Sequence, residues 1–271
     1  MKLGCCIGTN IDKAAALKKH GYDYAELSVN EYANLEESKF AEILSGMKET
    51  GISCEAACCF VPSEIKITEP STDEAVIKDY VARAVYRSSL FGIKTIVFGS
   101  GGARKIPDGM PLSEGLGRIV SFLSDIAAPE ADKYGIMIAI EPLRFGACNA
   151  INTVAQGVKA AEETRRANVM GLADVYHMFY NNDDLKNITK NKGKIAHAHT
   201  SYPREVNNKR VCPLKIYDDF DQYDFISPLH AAGCPRLSVE AGFGADYKAE
   251  IAESLEVLKD ALKRVLADGK D

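Results

Sequence analysis

No run of about 18 consecutive apolar residues occurs in the 271-residue chain, so no membrane-spanning helix is expected. The stretch from Met1 to Tyr24 opens with a single lysine and a short, weakly apolar segment, too short and too polar for the hydrophobic region of a secretory leader. On that reading the protein is cytoplasmic and its eight cysteines are reduced thiols. They fall as Cys5-Cys6, Cys58-Cys59 and four singles with no C-x-x-C spacing, which argues against a disulfide framework and a structural zinc site. Charge is not concentrated either. The net charge is −5, no block of five like charges occurs, and the basic stripe that a nucleic acid partner demands is missing. The partner expected is a small molecule, with neither nucleic acid nor membrane; a homo-oligomer is left open.

What is present is a repeated unit. Amphipathic stretches end at Gly21, Gly51, Gly92, Gly135, Gly193 and Gly233, each followed by a short apolar run. Glycine suits the left-handed position just past a helix end. Consecutive apolar positions suit parallel strands buried on both faces. With Leu3 to Gly8 and Val169 to Ala173 added, eight strands alternate with helices, the last helix running from about Lys248 to Leu266. Pro129 should kink or split the helix between Leu112 and Tyr134. The fold class expected is α/β, a (β/α)8 barrel forming one domain over residues 1–271. A doubly wound sheet is the alternative, but "CIGTNID" after the first strand lacks its phosphate-binding fingerprint.

In such a barrel the C-terminal strand ends point into the active-site mouth. Strand five ends on Glu141, strand six on Asp174, strand seven reaches His199 and strand eight ends on Glu240. Three carboxylates converging there would repel one another, and a divalent cation removes that conflict. Three carboxylates with one imidazole favour one hard or borderline ion, Mn2+ first, with Mg2+ or Co2+ as alternatives and Zn2+ less favoured. His197 and His199 are read as alternating, so that only His199 faces inward and His197 packs beneath a helix or makes a supporting contact.

The segments "IAIEPL", "LADVYHM", "HAHTS" and "LSVEAG" resemble the metal-site motifs of the sugar phosphate isomerase/epimerase superfamily with a xylose isomerase-like TIM barrel, and within it the D-tagatose and D-psicose ketose 3-epimerases. The resemblance spans nearly the whole chain and is strongest from Ile136 to Gly242. It implies that Glu141, Asp174, His199 and Glu240 hold one divalent metal, that Glu141 and Glu240 are the catalytic proton-transferring pair, and that His177 contacts substrate oxygens. The implied activity is metal-dependent sugar (or sugar-phosphate or polyol) isomerisation or epimerisation by proton transfer through a metal-stabilised enediolate.

Several positions depart from that pattern. A second, substrate-gripping glutamate expected six residues after Glu141 is replaced by Ala147, and Asn149 is the candidate for part of its role, against a plain loop residue starting a helix at Ile151. The family's substrate-binding arginine falls on Glu205; Arg210 is the better match, with Arg204 as competitor. Arg104, on the glycine-rich loop after strand four, is read as a hand for a substrate phosphate or carboxylate, against an exposed loop charge. Glu26 is placed on the same rim, touching a distal hydroxyl or making a structural hydrogen bond. Cys58, Cys59 and Phe60 are read as an apolar pocket wall. His20 and His230 sit at helix C-termini and receive no function. Competing readings are a lyase or dehydratase on an inosose-like ketone, a DNA-repair nuclease with a multi-zinc centre, which five histidines and an acidic chain disfavour, and a non-catalytic sugar-binding barrel.

Overall fold

The computed structural model describes residues 1–269; Lys270 and Asp271, which the single-domain expectation included, lie outside the described residues. The barrel strands are β1 (Lys2–Cys6), β2 (Tyr24–Ser28), β3 (Ser53–Cys58), β4 (Thr95–Phe98), β5 (Met137–Ile140), β6 (Val169–Asp174) and β7 (Ile195–Thr200). A short ribbon, β8 (Glu205–Val206) and β9 (Lys209–Arg210), precedes the last barrel strand, β10 (Arg236–Val239). The eight barrel strands pair in parallel in the closed order β1-β10-β7-β6-β5-β4-β3-β2, with helices between them. This is the expected (β/α)8 barrel. Among the described residues, no helix is long and apolar enough to cross a membrane.

The glycines act as the sequence suggests. Gly21, Gly92 and Gly233 close their helices in the left-handed conformation, with φ of 88°, 89° and 80°. Gly51, Gly135 and Gly193 also have positive φ (68°, 64° and 76°). The segment around Pro129 differs in detail from expectation. The helix Leu112–Ser121 continues through a π-helical stretch, Phe122–Ala127, into Ala128–Asp132. Pro129 lies in the first turn of that last piece, where the wider turn before it accommodates a ring and a missing N–H donor.

Most of the apolar core lies between the strands and the surrounding helices. A smaller cluster fills the lumen: Cys58, Val97, Ala139, Leu172 and Ala196, with Cys6, Met137 and Met170 against it. Along β5 the inward positions are Met137 and Ala139, and along β6 Met170 and Leu172. The strand period of two then delivers Glu141 and Asp174 to the same interior face. The register shifts between Gly171 and Leu172 of β6, opposite Ala196 of β7, which realigns β7 so that Asp174 lies beside His199.

Near the N-terminal end of the lumen, Tyr24 is fully buried and its hydroxyl pairs with Ser238 Oγ at 2.7 Å. Gly4 makes room for that ring, since a Cβ there would lie 2.2 Å from it. Gly4→Ala should therefore destabilise the barrel by about 1–3 kcal/mol, the usual cost of overpacking. Urea unfolding at unchanged slope measures this, and Tyr24→Leu in the same chain should recover part of the loss. An unchanged midpoint for Gly4→Ala would show that the ring has room to move.

Candidate metal centre

Four chain segments bring one donor each to the mouth. The ladder continues one residue past β5 and β10, because the Glu141 N–H donates to the Phe98 carbonyl at 3.2 Å and the Glu240 N–H to the Thr200 carbonyl at 2.8 Å. Glu141, Asp174, His199 and Glu240 each offer a ligand atom, all within 4.8 Å of one another. His199 Nδ1 lies 3.0 Å from Glu141 Oε1, 3.2 Å from Glu240 Oε2 and 3.7 Å from Asp174 Oδ2. Gly99 gives Glu141 its place, since a Cβ at residue 99 would fall 2.2 Å from Glu141 Oε2.

Burial and mutual repulsion shape the electrostatics. Burial and then the charge of Glu240 push the Glu141 carboxyl up to about 7. Burial also opposes ionisation of Asp174, but the Arg210 guanidinium and the imidazole of His177 hold it well below the usual carboxylate range. Glu240 is lowered, against its burial, by His199 and Arg210. His199 loses by burial and gains more from Glu26 and Glu240, so its pKa rises well above that of a free imidazole. Such opposed shifts mark a cluster of acids held together by cations at its edge.

Behind His199 stands a second layer. Its Nε2 faces Glu26 Oε1 at 2.9 Å, and the other oxygen of Glu26 lies 2.8 Å from His197 Nε2. The expectation that only one of the two histidines turns inward is overturned. Residues two apart on a strand share a face, and both imidazoles are fully buried with ring centroids 5.1 Å apart. Glu26 is likewise not on the rim. It is fully buried in the lumen, where the two imidazoles pull its carboxyl down against the effect of burial. Among the described residues His197 Nδ1 has no partner, which assigns the proton to Nε2 and makes this ring a neutral donor to Glu26. The supporting contact expected as one reading of His197 and the structural hydrogen bond weighed for Glu26 are both present, on the inner face that strand parity would have shown.

His177 is placed by Asp174. That carboxylate caps the short helix Val175–Tyr180, with Oδ1 accepting from the N–H of Tyr176 (2.8 Å) and of His177 (3.3 Å). His177 Nδ1 accepts from the Arg144 N–H at 3.1 Å, so Nε2 carries the proton. Arg210 arrives on the β8–β9 ribbon, whose turn residues Asn207 and Asn208 have φ of 52° and 59°. Its Nη2 donates to both oxygens of Asp174 (2.8 and 3.0 Å), Nη1 to Glu240 and Nε to Ser201 Oγ at 3.1 Å. The Tyr176 ring supports the guanidinium at 4.8 Å. Arg204 pairs instead with Asp219, and Glu205 accepts from the Tyr176 hydroxyl at 2.6 Å.

Three expectations are corrected. Arg104 is neither a free hand nor an exposed loop charge. It is fully buried, and donates to the carbonyls of Phe98 (3.1 Å) and Glu141 (2.6 Å), locking the ends of β4 and β5 together. Asn149 spends its amide on both backbone groups of Ile106, each at 2.9 Å, and the next helix starts at Val154 behind a Thr153 cap, not at Ile151. Phe60 is buried against Phe98 and Phe122, whereas Cys59 is exposed with φ of 55°. Arg104→Met should take the guanidinium from the Glu141 carbonyl and leave the Phe98 carbonyl with the Glu141 N–H alone, at a cost of about 1–3 kcal/mol. A thermal melt and a KM measurement together check this: unchanged stability with a raised KM would restore the substrate-hand reading.

A family model described as Xylose isomerase-like TIM barrel matches residues 14–263. The D-psicose 3-epimerase of Agrobacterium fabrum is 26% identical over 220 residues, covering 75% of this chain and 69% of that protein. The structure of an L-ribulose 3-epimerase superposes with a TM-score of 0.81 at 17% identity, covering 99% of this chain and 97% of the other. That of a 3-keto-D-glucoside 4-epimerase from E. coli gives 0.74 at 19% identity, over 96% and 99%. At these identities the two structures speak for the fold, and the names of all three relatives are those of sugar epimerases.

Proposed function

Because the chain belongs to the xylose isomerase-like TIM barrel family, we propose that it works as a single catalytic domain, a divalent-metal-dependent epimerase or isomerase of a sugar or sugar derivative. The observation that carries this is the convergence of Glu141, Asp174, His199 and Glu240 within 4.8 Å. A non-catalytic barrel has no need to keep three acids and an imidazole together at such electrostatic cost.

The donor set fits a metal. Three carboxylates and an imidazole nitrogen whose other nitrogen is anchored by Glu26 form the ligand and supporting shells of a divalent ion. Oxygen-rich donors favour Mn2+, with Mg2+ or Co2+ as alternatives and Zn2+ less so. When bound, the ion would act as a Lewis acid toward a substrate carbonyl and its neighbouring hydroxyl, lowering the cost of removing the adjacent proton.

The chain's own residues do the rest. Glu141 and Glu240 stand at strands three steps apart round the eight-stranded ring, so their carboxylates reach the lumen from different sides. Two carboxylates so placed allow one to take a proton from one face of a carbon while the other returns a proton to the opposite face, as epimerisation requires. His177 offers Nε2–H as a donor to a substrate oxygen. Arg210 keeps Glu240 and Asp174 ionised and oriented. Glu26, itself held by His197, fixes the orientation of the His199 ring.

The deciding experiment is solvent-deuterium exchange followed by NMR, on protein supplied with Mn2+, with free ketoses, ketose phosphates and inososes in turn. Deuterium at a carbon next to the carbonyl, lost on adding EDTA, is the expected result. Elimination products would make the protein a lyase on an inosose-like ketone, and failure to bind any divalent ion would sink the reading. Glu240→Gln should reduce exchange by about 10²- to 10⁴-fold; wild-type exchange in that variant with metal still bound would remove the two-glutamate scheme. Glu26→Gln should weaken Mn2+ binding by about 10- to 100-fold, measured by equilibrium dialysis, since it loosens a ligand rather than removing one. Unchanged affinity would show that His199 needs no such support.

A further inference from the structure

Beside the carboxylate–imidazole cluster lies a second group of donors with different chemistry. The sulfurs of Cys6 and Cys58 and a carboxylate oxygen of Glu240 are within 4.8 Å of one another. Cys6 ends β1 and Cys58 ends β3, on either side of β2. Two strand spacings separate their backbones by about 9–10 Å, beyond the Cα span of about 7 Å that a disulfide tolerates. Their side chains nevertheless meet in the lumen, Cys58 within the inner apolar layer and Cys6 against it. Both are free thiols. Two sulfurs and one carboxylate converging from three strands have the arrangement of a metal half-cage, not of a redox pair.

We propose that Cys6, Cys58 and Glu240 form a second site, selective for a thiophilic divalent cation such as Zn2+, and that this site shares Glu240 with the first. Thiolates prefer soft or borderline ions, while the neighbouring oxygen-rich set prefers hard ones, so the two sites sort cations by type. Tetrahedral zinc with bonds to sulfur of about 2.3 Å places two thiolates roughly 3.8 Å apart, and the two sulfurs here lie within 4.8 Å of each other. On binding, two S–H bonds are exchanged for two sulfur–metal bonds and two protons pass to solvent, with no change of oxidation state. Because a Glu240 oxygen is engaged, a soft ion in this site inhibits proton transfer. The inhibition rests on the role proposed for Glu240; the binding does not.

Cadmium is the probe. Protein loaded with Mn2+ is titrated with Cd2+ while the thiolate-to-cadmium ultraviolet band and the Mn2+ electron paramagnetic resonance signal are recorded. One Cd2+ per chain should bind with the absorbance of two thiolates and without release of Mn2+. Cys6→Ser and Cys58→Ser should each weaken that binding by more than about 100-fold, exceeding the effect of losing an outer-shell partner. Cys234→Ala, at the foot of β10, should leave it unchanged. Cys6 is only half-buried, so Cys6→Ser decides the matter if Cys58→Ser does not fold. Absence of the band, a band of equal strength in Cys6→Ser, or Mn2+ release equal to Cd2+ uptake would overturn the site. Binding without loss of exchange activity would keep the site and refute Glu240 as a proton carrier.

Discussion

The repulsion among Glu141, Asp174 and Glu240 is the constraint on which the rest of the mouth depends. Two like charges about 4 Å apart cost each other roughly 4 kcal/mol at the effective dielectric of a protein, and here three acids meet, Glu141 and Asp174 buried and Glu240 half-buried. The surrounding residues answer that cost one by one. Arg210 lays its guanidinium across Asp174 and Glu240. His199 faces all three acids through one nitrogen. Glu141, the acid Arg210 does not reach, is the one whose proton is held most tightly. A cluster this unfavourable in isolation makes sense as a cation cage, and its neighbours are arranged to keep the donors together.

Much of this was legible in the sequence because parallel strands advertise themselves. They are apolar on consecutive positions, and glycine marks the preceding helix end, so a single ionisable residue at the strand's end stands out against its background. That is how Glu141, Asp174, His199 and Glu240 come to notice from four separate stretches. His197 and Glu26 were noticed, as a supporting contact and a structural hydrogen bond, but their place inside the lumen was missed for a different reason. The period of two, applied correctly, puts His197 on the face of His199, and a buried histidine inside a barrel asks for a carboxylate partner; Glu26 on β2 is that partner. The signal was present and misread.

Arg104 and Asn149 were not legible at all. Arg104 ends a single helical turn, Gly101–Arg104, and Asn149 lies in a loop, and neither segment is long enough for periodicity to tie sequence position to direction. Whether a loop arginine points to solvent or turns back to two carbonyls depends on the local path of the chain, which a string such as "GGARK" does not encode. The inward turn of Arg104 has a physical logic visible only in three dimensions. β4 and β5 end side by side, and the carbonyls there still have lone pairs to satisfy, that of Phe98 accepting only the Glu141 N–H from the ladder. A guanidinium with several donors in one plane satisfies two of them at once. The arginine thereby stabilises the strand end that carries Glu141 and leaves substrate contacts to other residues.

Asp174 shows how closely the site is tied to the fold that carries it. One carboxylate ends β6, begins the following short helix as its cap, and joins the donor cluster. Its Oδ1 is committed to the backbone N–H groups of Tyr176 and His177, Arg210 donates to both oxygens, and Oδ2 also faces His199. The cap fixes the carboxylate so that its other oxygen, steadied by Arg210, faces the lumen, and in the same turn sets His177 at the edge of the cluster. A strand-to-helix junction recurs in every unit of such a barrel, and an aspartate at that junction satisfies helix ends and ligand geometry with one side chain. The proximity of Asp174 and His177 in sequence is thus a consequence of capping geometry, and the imidazole reaches the mouth because the helix it belongs to is started by an acid of the metal centre.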